Sequence, residues 1–248
     1  MPSNKCLLMA ASRILAAIFL LPLAETPVSA QALSVAPVNI VISPGQRATT
    51  LLVTNQGISE TSIQIRAYAW SQKDNSDELT PTDMLVVSPP LATIAPGVNQ
   101  VVRLLLRQPP QSQEATYRIL VDQIPPATKT PGVVSMVLRM SIPVFAQPTG
   151  RAVPHLQFHL ERNGDKLFLV GINDGHRHDV LRDVALTTGD GRKLKLESGQ
   201  SPYILAGVTR RWSIAAEGPL PESSETLQLT AHADTGNIDQ QVQWIAAP

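Results

Sequence analysis

Between residues 33 and 148, short runs of alternating apolar and polar side chains are cut repeatedly by proline, glycine, asparagine or aspartate. "LSVAPVNIVI", "RATTLLVTNQG", "TSIQIRAYAW", "QVVRLLLRQ", "TYRILVDQI" and "GVVSMVLRMSIPVFAQP" follow one another with no sustained helical period. Alternation places successive side chains on opposite faces of a strand, so each run predicts a strand with one wet face. About seven such strands in some 120 residues, separated by turn signals, predict an antiparallel sandwich of immunoglobulin-like type. The last run stands out, because Val134, Met136, Leu138, Met140, Ile142 and Val144 form one apolar stripe opposite Ser135, Arg139 and Ser141. Such a stripe is either core or, in part, a surface kept for a partner.

The segment "QPTGRAVP" breaks the pattern with glycine and two prolines and reads as a linker. Strands then resume from "HLQFHLER" to "QQVQW", and Asn163-Gly164 and Asp190-Gly191 carry hairpin chemistry. The expectation is all-β: two tandem immunoglobulin-like sandwiches in an angled arrangement, over residues 32–148 and 154–248, joined by 149–153.

Residues 1–31 read as a secretory signal peptide. Lys5 and Arg13 precede an apolar stretch, Ile14 to Ala24, and small residues around 30–32 suit cleavage. Export to the periplasm is the expectation. The single cysteine, Cys6, leaves with that segment, so thiol nucleophiles and thiolate metal sites are excluded from the remainder. The full chain has zero formal net charge, and loss of Lys5, Arg13 and Glu25 leaves minus one. A nucleic acid or an anionic membrane surface is a poor partner for that balance, and aromatic residues at 4% offer no base-stacking platform. No later segment approaches the roughly 20 apolar residues that insertion in a bilayer needs.

Catalytic constellations are thin. His176 and His178 in "GHRHD" could share a face and hold a metal, yet two histidines on a polar turn read first as solvent-facing. His155 and His159 read as satisfied strand histidines, and Asp77 and Glu78 as a solvated turn. No Gly-x-Ser-x-Gly elbow or phosphate-cradling loop is present. The expectation is a protein that is not an enzyme and needs neither cofactor nor metal.

Taken in order, "VVSPPLATIAPGVNQVVRLLLR" (86–107), "VDQIPP" (121–126) and the strand ending "IPVFAQP" closely resemble the PapD-like chaperones of pilus assembly. "NDGHRH" and "AHADTG" look like turns of that family's second domain. The resemblance implies that the strand matching "VVSMVLRM" completes the sheet of a pilus subunit by donor-strand complementation, with Val134, Met136, Leu138 and Met140 filling the subunit's groove. It also implies delivery of the subunit to an outer-membrane usher, and self-association as a way of covering the stripe when free. The alternative is a structural or adhesive immunoglobulin-like module of a surface organelle.

The family's two anchoring cations match Asn39 and Pro143 here, and neither supplies a charge. Pro143 also lacks a donor, so strand pairing is expected to weaken there. Arg103 matches a family arginine whose carboxylate partners fall at Gln123 and Asp234. Two roles follow for it: anchor for the subunit's terminal carboxylate, or an inter-domain bridge to Asp234. The missing anchor pair, the absence of cysteine and the short "IPPATKTPG" connection resemble the archaic branch of the family.

Overall fold

The computed structural model describes residues 33–125, 137–215, 219–222 and 225–245, and no α-helix occurs among them. The expected signal peptide lies outside the described residues. Ten strands come first: β1 (Leu33–Ala36), β2 (Ile40–Ile42), β3 (Ala48–Asn55), β4 (Thr61–Lys73), β5 (Ser76–Pro81), β6 (Leu85–Ser88), β7 (Leu91–Ile94), β8 (Asn99–Leu106), β9 (Ala115–Ile124) and β10 (Arg139–Ala146). Eight more follow: β11 (Leu156–Asn163), β12 (Lys166–Asn173), β13 (Asp179–Thr187), β14 (Lys193–Leu196), β15 (Tyr203–Ile204), β16 (Val208–Ala215), β17 (Leu227–Ala233) and β18 (Gly236–Val242).

The first ten build two sheets, β1-β3-β8-β6 and β2-β10-β9-β4-β5, with β7 also paired to β4. Alternation decides which side chains meet between them. Leu51, Val53, Val102 and Leu104 from the first sheet share one core with Ile63, Ile65, Ile119 and Val121 from the second, all at 0–1% exposure. Burying each such side chain contributes about 1.5–3 kcal/mol, enough to fix the face each strand turns inward. The remaining strands join in the order β11-β12-β16-β14-β13-β17-β18, with β15 on β13, around a second core that includes Leu160, Leu169, Trp212 and Leu229. This is an all-β chain of two immunoglobulin-like sandwiches.

Three details depart from the sequence reading. The run "LSVAPVNIVI" is two strands: β1 pairs antiparallel with β3 in one sheet and β2 lies parallel to β10 in the other, so the chain changes sheets at Pro37. Asp77 and Glu78 are in a strand, β5, rather than a turn. The turn comes just before it, where Asp74 and Asn75 take positive φ (48° and 64°) and close the β4–β5 hairpin. Pro143, finally, does not interrupt the ladder to β9, which runs unbroken from Arg139 to Ala146. The Gln123 N–H donates to the Leu138 carbonyl, and the Gln147 N–H donates to Ile42 of β2. Even positions of β10 therefore bond to β9 and odd positions face the other edge. The donor that Pro143 lacks was never owed to β9.

Candidate functional site

The apolar stripe divides along β10. Ile142 and Val144 are buried at 2% and 0% exposure in the first core, Met140 is half-buried against it, and Leu138 is 40% exposed. Val134 and Met136 lie outside the described residues. The cause of the division is pairing. β9 covers one edge of β10 throughout, whereas β2 covers the other only at Val144–Ala146. From Arg139 to Pro143 that second edge has no paired strand among the described residues. Its outward backbone donors are the amides of Arg139 and Ser141.

The start of β10 is fixed by β9. Asp122 of β9 accepts hydrogen bonds from Arg139 of β10 and, at 2.7 Å, from Arg66 Nη2 of β4. Burial raises the Asp122 carboxyl pKa, but the hydrogen bonds from Arg139 and Arg66 outweigh it and hold the group below its ordinary value. Gln123 is not a vacant partner position: its side-chain oxygen accepts from the Leu138 N–H at 3.3 Å.

The far end of β10 enters a junction between the sandwiches. Trp70, Phe145 and Leu205 form a third buried cluster, with Tyr203 packed against it. The His178 imidazole stacks on Phe145, with ring centroids 3.4 Å apart and planes within 6°. Its Nδ1 lies 2.6 Å from Glu114 Oε2, which also accepts the His178 backbone N–H at 2.9 Å. Both side chains are essentially out of solvent, so His178 is not the solvent-facing histidine expected from its polar turn. Gln72 adds a second clamp, accepting from the Leu205 N–H at 3.0 Å and donating to the Tyr203 carbonyl at 3.1 Å. Arg210 meets Asp77 at 3.3 Å.

Beside this junction stands a cation the sequence reading missed. Arg118 on β9 is the register partner of Pro143. Its guanidinium lies 3.7 Å from the centroid of the Trp70 ring and 5.2 Å from that of Tyr203. Burial lowers its pKa, and the nearby Tyr203 and Asp77 offset part of that. Its side chain makes no hydrogen bond or ion pair with another described residue, so its N–H fork is stacked in place but unspent. Paired residues of neighbouring strands point to the same face, so Arg118 presents a positive charge where a cation at position 143 would have done.

Arg103 stands elsewhere. It faces outward on β8 in the other sheet, opposite Thr50 and Ser88. Asp234, in the β17–β18 turn, is bound by Arg182 at 2.6 Å, and its N–H donates to Asp179. The structure thus does not bring Arg103 and Asp234 together: Asp234 is already neutralised within its own sandwich. Asn39 is exposed just before β2. The described residues hold no group of three or more metal-ligating side chains.

Residues 32–152 match the family described as pili and flagellar-assembly chaperone, PapD N-terminal domain. Among curated relatives, the chaperone protein PapD of Escherichia coli is 24% identical over 142 residues, covering 55% of this chain and 56% of that protein. The chaperone protein FimB/FhaD of Bordetella pertussis is 27% identical over 157 residues, covering 56% of this chain and 62% of that one. The chain thus aligns with little more than half the length of these relatives. Among solved structures, one chain of the CsuC–CsuE chaperone–tip adhesion subunit pre-assembly complex, from archaic chaperone-usher Csu pili of Acinetobacter baumannii, superposes with a TM-score of 0.65. It is 22% identical, and the match covers 88% of this chain and all of that one. The E. coli chaperone DraB superposes with a TM-score of 0.55 at 22% identity, over 88% and 97% of the two chains. These likenesses extend the shared fold to both sandwiches.

Proposed function

Because the chain belongs, through residues 32–152, to the PapD-type family of pili and flagellar-assembly chaperones, we propose that it is a periplasmic chaperone that holds pilus subunits by donor-strand complementation and passes them to an outer-membrane usher. The observation that carries this reading is the open half of β10: an edge with no paired strand among the described residues from Arg139 to Pro143, with apolar Leu138 exposed and Met140 half-buried beside it. A subunit strand added there gains backbone hydrogen bonds from Arg139 and Ser141. Its groove removes the remaining exposed surface of Leu138 and Met140 from water, a fraction of the roughly 1.5–3 kcal/mol that full burial of each would contribute before ordering costs.

Arg118 takes the anchoring role that Asn39 and Pro143 cannot fill. An unspent guanidinium lying on Trp70 at the end of the open edge suits a chain-terminal carboxylate. Relocation of the cation from β10 to β9, together with the superposition on the archaic CsuC–CsuE complex, supports placement in the archaic branch. Binding and release complete this activity, with no covalent step and no cofactor.

Affinity purification of the protein from the periplasm of its native host, followed by mass spectrometry, tests the reading. Wild type should carry a stoichiometric exported β-rich protein, Arg118→Ala should lose it, and Arg103→Ala should retain it. An empty wild type would refute the chaperone reading. Loss with Arg103→Ala and retention with Arg118→Ala would return the anchor to β8.

A further inference from the structure

The four-stranded sheet turns a separate set of arginines to solvent. The outward positions of β8 are Val101, Arg103 and Leu105, and the series continues past the strand's end to Arg107. Val101 and Leu105 are 49% and 46% exposed, unusually apolar for an outer sheet face. Leu105 pairs in register with Val86 of β6 and Ala48 of β3. The Val86–Leu105 pair separates two hollows. One, of about 480 Å³, is walled by Thr50, Ser88 and Arg103, and the other, of about 650 Å³, by Arg47 and Arg107, with Asp83 as its carboxylate.

These arginines differ from Arg66 and Arg139 of the neighbouring sheet in forming no ion pair among the described residues, although Asp83 lines the hollow that holds Arg47 and Arg107. Arg66 and Arg139 are bonded to Asp122, and Arg118 lies on Trp70. Arg47, Arg103 and Arg107 form no ion pair with any described residue, and Arg47 donates instead to the Arg107 carbonyl. Arg103 lies on β8 and Arg107 one residue past its end, with Leu105 midway in sequence; four positions of extended chain at about 3.3 Å each set roughly 13 Å as the upper bound on their separation. An extended chain repeats that spacing between side chains i and i+4, all on one face.

We infer that this outer face is a docking surface for an extended segment of a protein partner that carries two carboxylates four residues apart and an apolar side chain midway. The carboxylates meet Arg103 and Arg107, and the apolar side chain sits on Leu105 and Val86 between the hollows. The surface is distinct from the open half of β10, so it can be engaged while that edge is occupied.

A cyclic β-hairpin peptide displaying Glu, Val and Glu at alternate positions of one strand is the probe, titrated into the protein and followed by amide chemical shifts. The expected shifts are confined to residues 47–50, 86–88 and 101–107. Binding should weaken with added salt and by about tenfold or more in the Arg103→Ala, Arg107→Ala double variant. The same hairpin with Lys for Glu should bind the Arg103→Glu, Arg107→Glu variant and not wild type. Both variants alter exposed side chains, and their own amide spectra report whether they fold. The inference is overturned if millimolar peptide leaves these amides unmoved, if the Lys hairpin binds wild type equally, or if the arginine variants bind as wild type does. It is also overturned if the same residues shift with protein concentration alone, which would make a second copy of the chain the occupant. None of these results depends on capture of a subunit at β10.

Discussion

The two halves of β10 share one strand and one alternation, yet differ in nearly every physical respect. From Ile142 to Ala146 the strand is buried and has β9 on one edge, with β2 on the other from Val144 onward. From Arg139 to Ser141 it has β9 alone among the described residues, and its side chains are exposed or half-buried. The first half holds the sandwich together, and the second gives the core only the half-buried Met140. Alternation makes a strand able to cover something, and the neighbouring strand decides whether that something belongs to the same chain.

The contrast breaks most severely at Phe145. Phe145→Ala removes a ring packed on Trp70 and stacked on His178, and should cost about 3–5 kcal/mol in urea unfolding. Ile142→Ala, inside the first core, should cost about 2–5 kcal/mol by the same measurement.

Asp122 links the halves by fixing where the open one begins, and Asp122→Asn should cost only about 1 kcal/mol because its arginine partners are largely exposed. Its pKa is depressed in the folded state. The stability it gives is therefore present above the ordinary aspartate value, near about 4, and lost as pH falls through the lower folded value. Unfolding midpoints followed across that acid range should fall less steeply for Asp122→Asn than for wild type. Smallest of all, Leu138→Asp should change stability by no more than about 0.5 kcal/mol while removing a side chain offered to the partner. A large loss of stability from Leu138→Asp would mean that the open half is core after all.

The sequence discloses the sandwiches because burial on one face leaves a period of two in each strand, and Leu51 to Val53 or Val102 to Leu106 show it plainly. It does not disclose the break in the stripe at Met140, since β2 is about a hundred residues away and its short pairing with β10 is a tertiary fact. Arg103 and Arg118 look alike in sequence, each a lone cation in the polar phase of an apolar strand. Only the assignment of β8 and β9 to different sheets tells the outer face from the junction. Glu114 and His178 are separated by 64 positions, and each sits in a polar stretch that reads as solvated. A weak signal did exist in Phe145 and Trp70: in a chain with few aromatics, both occupy outward phases where a polar residue is expected, which marks a second layer packed on that face.

Amide hydrogen exchange along β10, compared between the free protein and the protein purified with its partner, tests the central claim most directly. The account predicts that the Arg139 and Ser141 amides exchange rapidly when free and become protected in the complex, while the Met140 and Ile142 amides, already bonded to β9, are protected in both. Protection of Arg139 and Ser141 in the free protein, or their continued rapid exchange in the complex, would contradict it.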